Sequence, residues 1–394
     1  MTPLNLAAFT LTTALGAGRA THLEALRQAR SGLRPCDLDE APLDTWIGRV
    51  DGVEDVRLPD SLQAFDCRNH RLALLALQQD GFTDAVAAAV RSFGAERIGL
   101  FLGTSTSGIA ETETAYRRLD ADGRLPSDFR LHQTHDLFAL SEFCRRVLGL
   151  RGPAATISTA CSSSAKVFAI AWRHIEVGLC DAAVVGGVDS LCLTTLYGFR
   201  SLELVSSRPC RPWDSDRDGI SIGEGAGFAL LTRAAPGEPR LSLLGYGETT
   251  DAYHMSSPHP EGAGAAAAIR RALERAGLSA DAIDYVNLHG TATPANDAAE
   301  DLAVLSALGA DVRCSSTKGA TGHTLGAAGI VEAAVCALSI EHGLIPASVG
   351  TERVDPALKL RIVRQAEERP VRFALTNSLG FGGSNCSLVF GVPA

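Results

Sequence analysis

Hydrophobic positions along this chain alternate between two kinds of segment. Short apolar runs rich in β-branched residues predict strands, and longer Ala- and Leu-rich stretches predict helices. The predicted strands are 97–103, 154–158, 182–187, 227–232, 240–248, 285–288, 371–378 and 386–391. The predicted helices are 21–30, 71–79, 82–93, 137–148, 162–177, 262–277, 298–308 and 327–342. This alternation predicts an α/β fold, and the continuous apolar strands indicate sheets that are covered on both faces.

Two parts of the chain resemble each other. The run IGLFLGTST at 98–106 parallels YVNLHGTAT at 285–293, and each half later has a short strand that enters a small-residue helix. Chance similarity of two short segments is the alternative explanation. We expect two duplicated βαβ-rich halves, 1–240 and 241–394, each supplying one sheet to a single body. The junction is placed near 240, where Pro236, Gly237 and Pro239 interrupt the pattern.

Composition narrows the class of protein. A chain of 394 residues with 46% hydrophobic residues can bury a large core, and its net charge of -9 disfavours nucleic acid as the main partner. The ten cysteines are scattered without a C-x-x-C pair, which is typical of reduced thiols in a cytoplasmic protein. The apolar N-terminal stretch is interrupted by Thr residues and predicts a strand rather than a signal peptide. No run of about 18 apolar residues predicts a membrane span.

Cys161 is the candidate nucleophile. It lies between an apolar strand and a mostly apolar helix, with small residues on both sides in STACSSSA. The N-terminal end of a helix favours a thiolate, and its free N–H groups can hold an oxyanion. The alternative is a buried, inert thiol, which is what we expect of most of the other cysteines.

His289 and His323 are the candidate partners of Cys161. His289 ends an apolar strand, and His323 stands before the Gly- and Ala-rich start of a helix. Both rings are therefore expected at the carboxyl edge of a sheet, where α/β proteins bind ligands. Two neutral imidazoles that donate N–H bonds to one thioester oxygen would stabilise an enolate, whereas hydrolysis needs only one base. The pair favours decarboxylative carbon–carbon bond formation.

Two further segments complete the expected site. Lys318 lies in a small-residue loop, and we expect it to be buried and paired with Glu332, in support of His323. The Gly-rich segment NSLGFGGSN at 377–385 lacks a phosphate-binding motif. We interpret it as a flexible wall in which Gly380, Phe381 and Gly382 complete an oxyanion hole and gate the site. The run DSDRDG at 214–219 resembles a calcium loop without its distal glutamate, so no metal is expected.

Taken together in this order, these motifs resemble the β-ketoacyl-acyl carrier protein synthases of the elongating type I/II group, which have the thiolase fold. The resemblance spans essentially the entire chain and includes RPWDxDRDG at 211–219, GEGAG at 223–227, HGTAT at 289–293, NDxxE at 296–300 and KxxxxH at 318–323. It implies a five-layer α-β-α-β-α arrangement. It also implies an acyltransferase that needs no cofactor, because its substrates arrive on the phosphopantetheine arm of a carrier protein.

The resemblance also assigns roles to residues. Cys161 would take the acyl chain, and His289 and His323 would bind malonyl thioester, which loses CO2 and attacks the acyl-cysteine. The N–H groups of Cys161 and Phe381 would hold the oxyanion, while Thr291 and Thr293 would contact the phosphopantetheine arm. Because the carrier protein is acidic, a basic docking patch is expected. The candidates by resemblance are Arg68, Arg71 and Arg208.

Some positions depart from the pattern of fatty-acid synthases. The run Ser162–Ser164 follows the cysteine, Leu379 precedes the gate, and DCRNHR at 66–71 resembles the ketosynthases of aryl polyene clusters. We therefore expect unsaturated aryl polyene intermediates, with housekeeping fatty-acid elongation as the alternative. A non-catalytic chain-length-factor subunit and a coenzyme A-dependent thiolase, with Cys386 as its second cysteine, are less favoured. A dimer is expected, either of two copies or with a chain-length-factor-like paralogue.

Overall fold

The protein is described by a computed structural model that covers residues 1–38, 43–233 and 240–393. The junction proposed at Pro236, Gly237 and Pro239 lies outside the described residues. The helices are α1 Arg19–Arg27, α2 Arg68–Leu77, α3 Phe82–Phe93, α4 Ile109–Tyr116, α5 Leu131–Thr134, α6 Leu137–Leu148, α7 Ser163–Glu176, α8 Leu193–Ser201, α9 Ala263–Ala276, α10 Pro294–Leu308, α11 Lys318–Thr321 and α12 Ala328–His342.

The strands comprise one large sheet and two small ones. They are β1 Leu4–Thr13, β2 Gly16–Ala17, β3 Arg34–Pro35, β4 Trp46–Gly48, β5 Ile98–Gly103, β6 Ala154–Ile157, β7 Ala182–Asp189, β8 Ile222–Gly223, β9 Gly225–Arg233, β10 Ser242–Thr250, β11 Tyr285–Asn287, β12 Arg313–Ser315, β13 Leu344–Ile345, β14 Arg361–Ile362, β15 Glu367–Glu368, β16 Phe373–Gly380 and β17 Ser384–Gly391.

Every predicted strand and helix is present, with ends that shift by a few residues. The largest shift is at α10, which begins at Pro294, because proline at the first helical position lacks only an N–H that the helix does not use. The predicted N-terminal strand is β1. Helices α4 and α8 were not predicted, since neither has a strong apolar stripe.

The two halves repeat one strand order. In the first half the hydrogen-bonded path is β6-β5-β7-β9-β1, and in the second it is β12-β11-β16-β17-β10. Counted within each half, both paths read 3-2-4-5-1. The pairings also correspond: the second strand is parallel to the third and fourth, and the fifth is antiparallel to the fourth and first.

The expected two sheets are joined at one edge. Strands β1 and β10 pair through Leu4 with Leu243 and Asn5 with Ser242, so hydrogen bonds run from one half into the other. Elsewhere, helices lie between the two sheets. The two halves are therefore joined by hydrogen-bonded strands as well as by the chain that connects them.

Five layers result from the packing of helices on these sheets. Helices α2, α3 and α6 cover the outer face of the first sheet, and α9 and α10 cover that of the second. Helices α7 and α12 lie between the sheets within one shared core. The segment Leu325–His342 is long and apolar enough to cross a membrane by composition alone, but 83% of it is buried as this central layer. The five-layer thiolase-like prediction is therefore confirmed.

Candidate active site

A strained backbone corner presents Cys161 at the end of β6. Ala160, the residue before it, has a φ of 51°, in the left-handed region that non-glycine residues rarely adopt. Helix α7 begins two residues later at Ser163. A sharp turn between strand and helix of this kind lifts a nucleophile above the sheet and turns it towards the adjoining pocket.

The serine run beside Cys161 has a structural role. Ser163 accepts a hydrogen bond from the Thr159 N–H at 2.9 Å, and Ser162 donates to the Thr159 carbonyl at 2.9 Å. Ser164 accepts the Ile330 N–H at 3.0 Å and so ties α7 to the start of α12. None of the three lines the pocket, so the interpretation of Ser162–Ser164 as a sign of an unusual acyl chain is not supported by their positions.

The structure brings the three predicted reactive side chains together. His323 Nε2 lies 3.0 Å from the sulfur of Cys161, and the ring centroids of His289 and His323 are 5.3 Å apart at an interplanar angle of 85°. Each of the three side chains has at most 5% of its surface exposed. All three line the same pocket, so one thioester can reach the thiol and both imidazoles.

Burial opposes the thiolate that the helix start was expected to favour. It raises the pKa of Cys161 to about 12, while the Lys318 cation and a hydrogen bond from the backbone N–H of Phe381 lower it. The resting residue is therefore a thiol at neutral pH, and it must lose its proton as it reacts. The nearest base is His323, whose Nε2 is already within hydrogen-bond distance.

Both imidazoles are neutral, as their proposed task requires. Burial lowers the pKa of His289 well below its usual value, and the Lys318 cation adds to this effect. Burial and Lys318 act in the same direction on the pKa of His323. A neutral ring has one N–H to donate and one lone pair to accept, so each histidine can act as a donor without carrying charge.

Lys318 and Glu332 form a buried ion pair behind the histidines, as predicted. The Lys318 ammonium binds the Glu332 carboxylate and the backbone carbonyl of His289, and its Nζ lies 3.4 Å from His289 Nδ1. The pair therefore contacts His289 rather than His323, which corrects the expected target of its support. An ammonium has no lone pair, so it holds Nδ1 as acceptor and leaves the proton on Nε2, facing the pocket.

Two buried carboxylates hold the backbone of this site, and neither was predicted to have a role. Glu300 accepts the backbone N–H groups of His289 and Gly290, both at 2.8 Å, and thereby holds the corner that carries His289. Asp189 accepts the N–H groups of Ser105 and Thr106 at 2.7 and 2.8 Å and also that of Gly326. Glu300 belongs to the NDxxE motif, whereas no local pattern marks Asp189.

The Gly-rich loop lines the pocket beside Cys161, and its role as a gate stays a prediction. Strand β16 ends at Gly380, and the Phe381 ring packs on Phe199 of α8 with centroids 5.5 Å apart. Gly382 has a φ of 79° and donates its N–H to the Met255 carbonyl at 2.7 Å. Phe381 therefore lies in the pocket that holds the reactive sulfur, with the Phe199 ring packed against it.

Thr291 and Thr293 face the pocket on the side of His289. Their hydroxyl groups are hydrogen-bonded to each other at 2.9 Å, and both residues line the pocket together with Asn296. The two hydroxyl groups can therefore form further hydrogen bonds with a ligand that enters the pocket beside the histidines. A phosphopantetheine arm, which carries amide groups, would find polar partners at this position.

The three arginines predicted for docking differ in their surroundings. Arg68 makes a bidentate ion pair with the fully buried Glu224 and a second pair with Glu54. Arg71 is held by both oxygens of Asp66. Only Arg208 is half exposed, with Asp218 at 3.7 Å. Arg68 and Arg71 are thus held in ion pairs within the chain, and their part in docking stays a prediction.

The calcium-like run at 214–219 is likewise engaged internally. Asp214 accepts the backbone N–H groups of Asp216, Glu352 and Arg353 at 2.8 to 2.9 Å. Asp218 accepts the Ser206 hydroxyl. Its carboxylates therefore fasten loops together.

A thiol between two neutral imidazoles, set at the strand ends of two repeated halves, defines a condensing enzyme of the thiolase fold. Comparison with known proteins agrees. Residues 9–236 match the family described as "Beta-ketoacyl synthase, N-terminal domain", and residues 241–352 match "Beta-ketoacyl synthase, C-terminal domain". The chain belongs to the β-ketoacyl synthase family and is an acyltransferase that extends acyl chains by condensation.

Individual relatives cover most of the chain. The 3-oxoacyl-[acyl-carrier-protein] synthase 2 of Vibrio cholerae is 34% identical over 365 residues, which is 85% of this chain and 88% of the relative. That of Staphylococcus aureus is 32% identical over 372 residues, 87% and 92% of the two chains. Among solved structures, the complex of the ketosynthase ApeO with its chain length factor ApeC from Xenorhabdus doucetiae contains a chain that matches with a TM-score of 0.91 and 39% identity, over 100% of this chain and 98% of that one.

Proposed function

We propose that this enzyme condenses an acyl chain held on Cys161 with malonyl-acyl carrier protein, releases CO2 and forms a β-ketoacyl thioester. The observation that carries the proposal is the contact of Cys161 with His323 in a pocket that also presents neutral His289. The names of the synthase 2 relatives include the acyl carrier protein, which supports this protein as the carrier of both thioesters. The chemistry uses no metal or cofactor beyond the carrier's phosphopantetheine arm.

Acyl transfer comes first. The Cys161 sulfur attacks the thioester carbonyl of the acyl carrier protein, and its proton passes to His323 Nε2 and then to the departing carrier thiol. The backbone N–H groups of Cys161 and Phe381 receive the tetrahedral oxyanion, with Gly380 and Gly382 giving the loop the freedom to close. Phe381 lines the pocket beside Cys161, which supports this assignment.

Decarboxylation and condensation follow. The Nε2–H groups of His289 and His323 bind the malonyl thioester carbonyl, so that the electrons of the breaking carbon–carboxylate bond pass into an enolate as CO2 leaves. For this step the His323 proton moves from Nδ1, which has no hydrogen-bond partner, to Nε2. The enolate carbon then attacks the acyl-cysteine carbonyl, and the carbon–sulfur bond breaks to restore Cys161. Lys318 and Glu332 position His289, and Thr291 and Thr293 bind the phosphopantetheine arm.

The alternatives are less well supported. A non-catalytic chain-length-factor subunit has no need for an assembled Cys161, His289 and His323 cluster. A coenzyme A-dependent thiolase would use a second cysteine, but Cys386 is fully buried in β17 and does not line the pocket. The arrangement of side chains therefore favours a decarboxylating synthase.

For the partner subunit, we favour a chain-length-factor-like paralogue over a second copy. The segment 116–138 exposes six large apolar side chains, an apolar surface of the kind that marks a protein interface. They are Tyr116, Leu119, Leu125, Leu131, Leu137 and Phe138. Strand β6, which precedes Cys161, is one of the two edge strands of the large sheet among the described strands. Two of the similar structures are described as ketosynthases with chain length factors.

For the pathway, we favour aryl polyene elongation in the cytoplasm over housekeeping fatty-acid synthesis. The motif resemblance at 66–71 supports this choice, and the ApeO–ApeC complex contains a chain more similar to this one (39%) than the synthase 2 relatives are (32–34%). The acyl chain of such a pathway is rigid and unsaturated.

Intact-mass analysis tests the proposal. The purified enzyme is incubated with a panel of saturated and polyunsaturated acyl-carrier proteins, beside Cys161→Ala and, as a matched control, Cys36→Ala, which removes a partly exposed thiol. We expect acyl adducts on the wild type and Cys36→Ala alone, with polyunsaturated chains loading fastest. No adduct from any donor would overturn the condensing role, and preferential loading of saturated chains would overturn the pathway.

A further inference from the structure

The reactive cluster also has the composition of a zinc site. Cys161, His289 and His323 each offer one ligand atom, and these atoms all lie within 4.8 Å of one another. Three protein ligands with a fourth position open to a pocket is the arrangement of many catalytic zinc centres. Among the described residues, no other group of histidine, cysteine and acidic side chains meets this spacing.

The geometry needs little change to hold the ion. Zinc binds sulfur at about 2.3 Å and imidazole nitrogen at about 2.0–2.1 Å, so tetrahedral ligand atoms lie roughly 3.3–3.6 Å apart. The Cys161 sulfur and His323 Nε2 are at 3.0 Å and must separate slightly, while His289 approaches. Both rings are neutral, but the His289 proton lies on Nε2 and must move to Nδ1 before Nε2 can bind the metal. The pocket supplies an entry path.

Lys318 is the group that opposes binding. Its ammonium lies 3.4 Å from His289 Nδ1, and a metal on Nε2 would place a proton on that nitrogen, facing the cation. The buried Glu332 carboxylate, which binds the same ammonium, offsets part of this repulsion. Lys318 therefore weakens the site without filling it.

We propose that the acyl-free enzyme captures zinc reversibly through Cys161, His289 and His323, and that the metal blocks acyl loading. The Sγ–H bond of Cys161 breaks, a zinc–sulfur bond forms, and the proton is released to solvent. An acylated Cys161 has no thiolate to offer, so the loaded enzyme escapes capture. This regulation rests on the proposed function only in that the same sulfur receives the acyl chain.

Alkylation and cobalt spectra test the proposal without an activity assay. With zinc chloride in a non-chelating buffer, we expect Cys161 to resist iodoacetamide, as read by peptide mass, and EDTA to restore its reactivity. Cobalt(II) is expected to give thiolate-to-metal charge transfer and tetrahedral visible bands with the free enzyme, and no charge-transfer band with the acylated one. Cys36→Ala is expected to behave as the wild type does.

Variants of the two histidine ligands and of Lys318 distinguish zinc binding at this site from non-specific zinc binding elsewhere on the protein. His323→Ala and His289→Ala should each weaken protection at least tenfold, whereas Lys318→Met should strengthen it about tenfold by removing the opposing cation. Alkylation at full rate under excess zinc, or protection that is unchanged in both histidine variants, would overturn the site. Acyl loading is measured separately, so an enzyme that loads acyl chains but ignores zinc would leave the proposed function intact.

Discussion

The Lys318 ammonium binds the Glu332 carboxylate and reaches His289 through both its backbone carbonyl and Nδ1. One buried cation thus sets which nitrogen of the imidazole carries the proton. The two side chains lie on neighbouring helices, α11 and α12, so the packing of these helices determines the chemical state of a ring on a third element.

Replacement of Lys318 by methionine is therefore expected to slow malonyl decarboxylation more than it slows acyl transfer. The His289 proton is no longer held on Nε2, and a histidine in the wrong tautomer cannot donate to the enolate oxygen. We expect a fall of about 100-fold in CO2 release from malonyl-carrier protein. Lys359→Met, which removes an exposed ammonium group that donates to the Pro356 carbonyl, is the control. Equal rates in the two variants would refute the tautomer argument.

The reactivity of Cys161 is expected to rise steeply with pH. Burial raises the pKa of this thiol to about 12, so the thiolate fraction increases roughly tenfold for each pH unit between 7 and 9. Lys318 lowers the pKa, so Lys318→Met should slow alkylation at a fixed pH. Stopped-time alkylation with iodoacetamide and peptide mass analysis measures both effects. A plateau of the wild-type rate below pH 9 would contradict the expectation.

Glu300→Gln is expected to loosen the His289 corner. An amide offers one acceptor oxygen to the two N–H groups of His289 and Gly290, so one buried donor loses its partner at a cost of about 1–3 kcal/mol. Burial raises the pKa of Glu300 to about 7 from an ordinary 4.5. The folded state therefore holds this proton more tightly than the unfolded state does, and this stabilising contribution is lost as pH rises from about 4.5 to about 7.

The variant lacks this titration. Calorimetric unfolding should thus give a larger stability difference between wild type and Glu300→Gln at pH 5 than at pH 8. The opposite order would show that the carboxylate is not held in its protonated form by burial.

Replacement of Gly329 by alanine is expected to disrupt the packing of α7 against α12. A methyl group at Gly329 would lie 2.4 Å from the Ala165 backbone nitrogen, so Gly329→Ala must push the central helices apart. Overpacking of this kind costs about 1–3 kcal/mol or more, and it should also lower activity because both helices position the site. Gly198→Ala in α8 has open space around it and should be neutral or slightly stabilising. Thermal unfolding of the pair measures the difference.

Carrier-protein docking is expected to depend on Arg200 and Arg208. Arg200 is exposed on α8 next to the pocket residue Phe199, and Arg208 follows the pocket wall at Leu204. Arg200→Glu and Arg208→Glu should each raise KM for acyl-carrier protein about 5–10-fold at low salt, with little change in kcat. Arg91→Glu, an exposed charge reversal on α3, serves as control. KM values that match this control would remove both residues from the docking surface.

Much of this site could be predicted from the sequence because its signals are local. A strand followed by small residues marks Cys161, His289 and His323, and the repeat of the two halves is visible in short segments. What the sequence could not give are contacts across long separations. Asp189 binds N–H groups 84 and 137 positions away, and Glu113 accepts the first N–H groups of α8 from 80 positions away. No periodicity records such pairings.

Polar side chains beside the reactive cysteine show a related effect. Ser162–Ser164 carry polar groups that suggest contacts with the acyl chain, yet their hydrogen-bond partners lie within the fold. The sequence identifies a polar side chain but not whether another part of the chain already satisfies it. The burial that raises the Cys161 pKa is equally invisible to a local argument about helix ends.

The common strand order of the two halves places different chemistry at corresponding corners. The third strand leads to Cys161 in the first half and to Lys318 in the second, and the second strand leads to Thr104 in one and to His289 in the other. Corresponding corners thus carry different groups in the two copies. Because the copies are parts of one chain, a substitution at one corner leaves its counterpart unchanged, and the reaction is carried out by residues drawn from both halves.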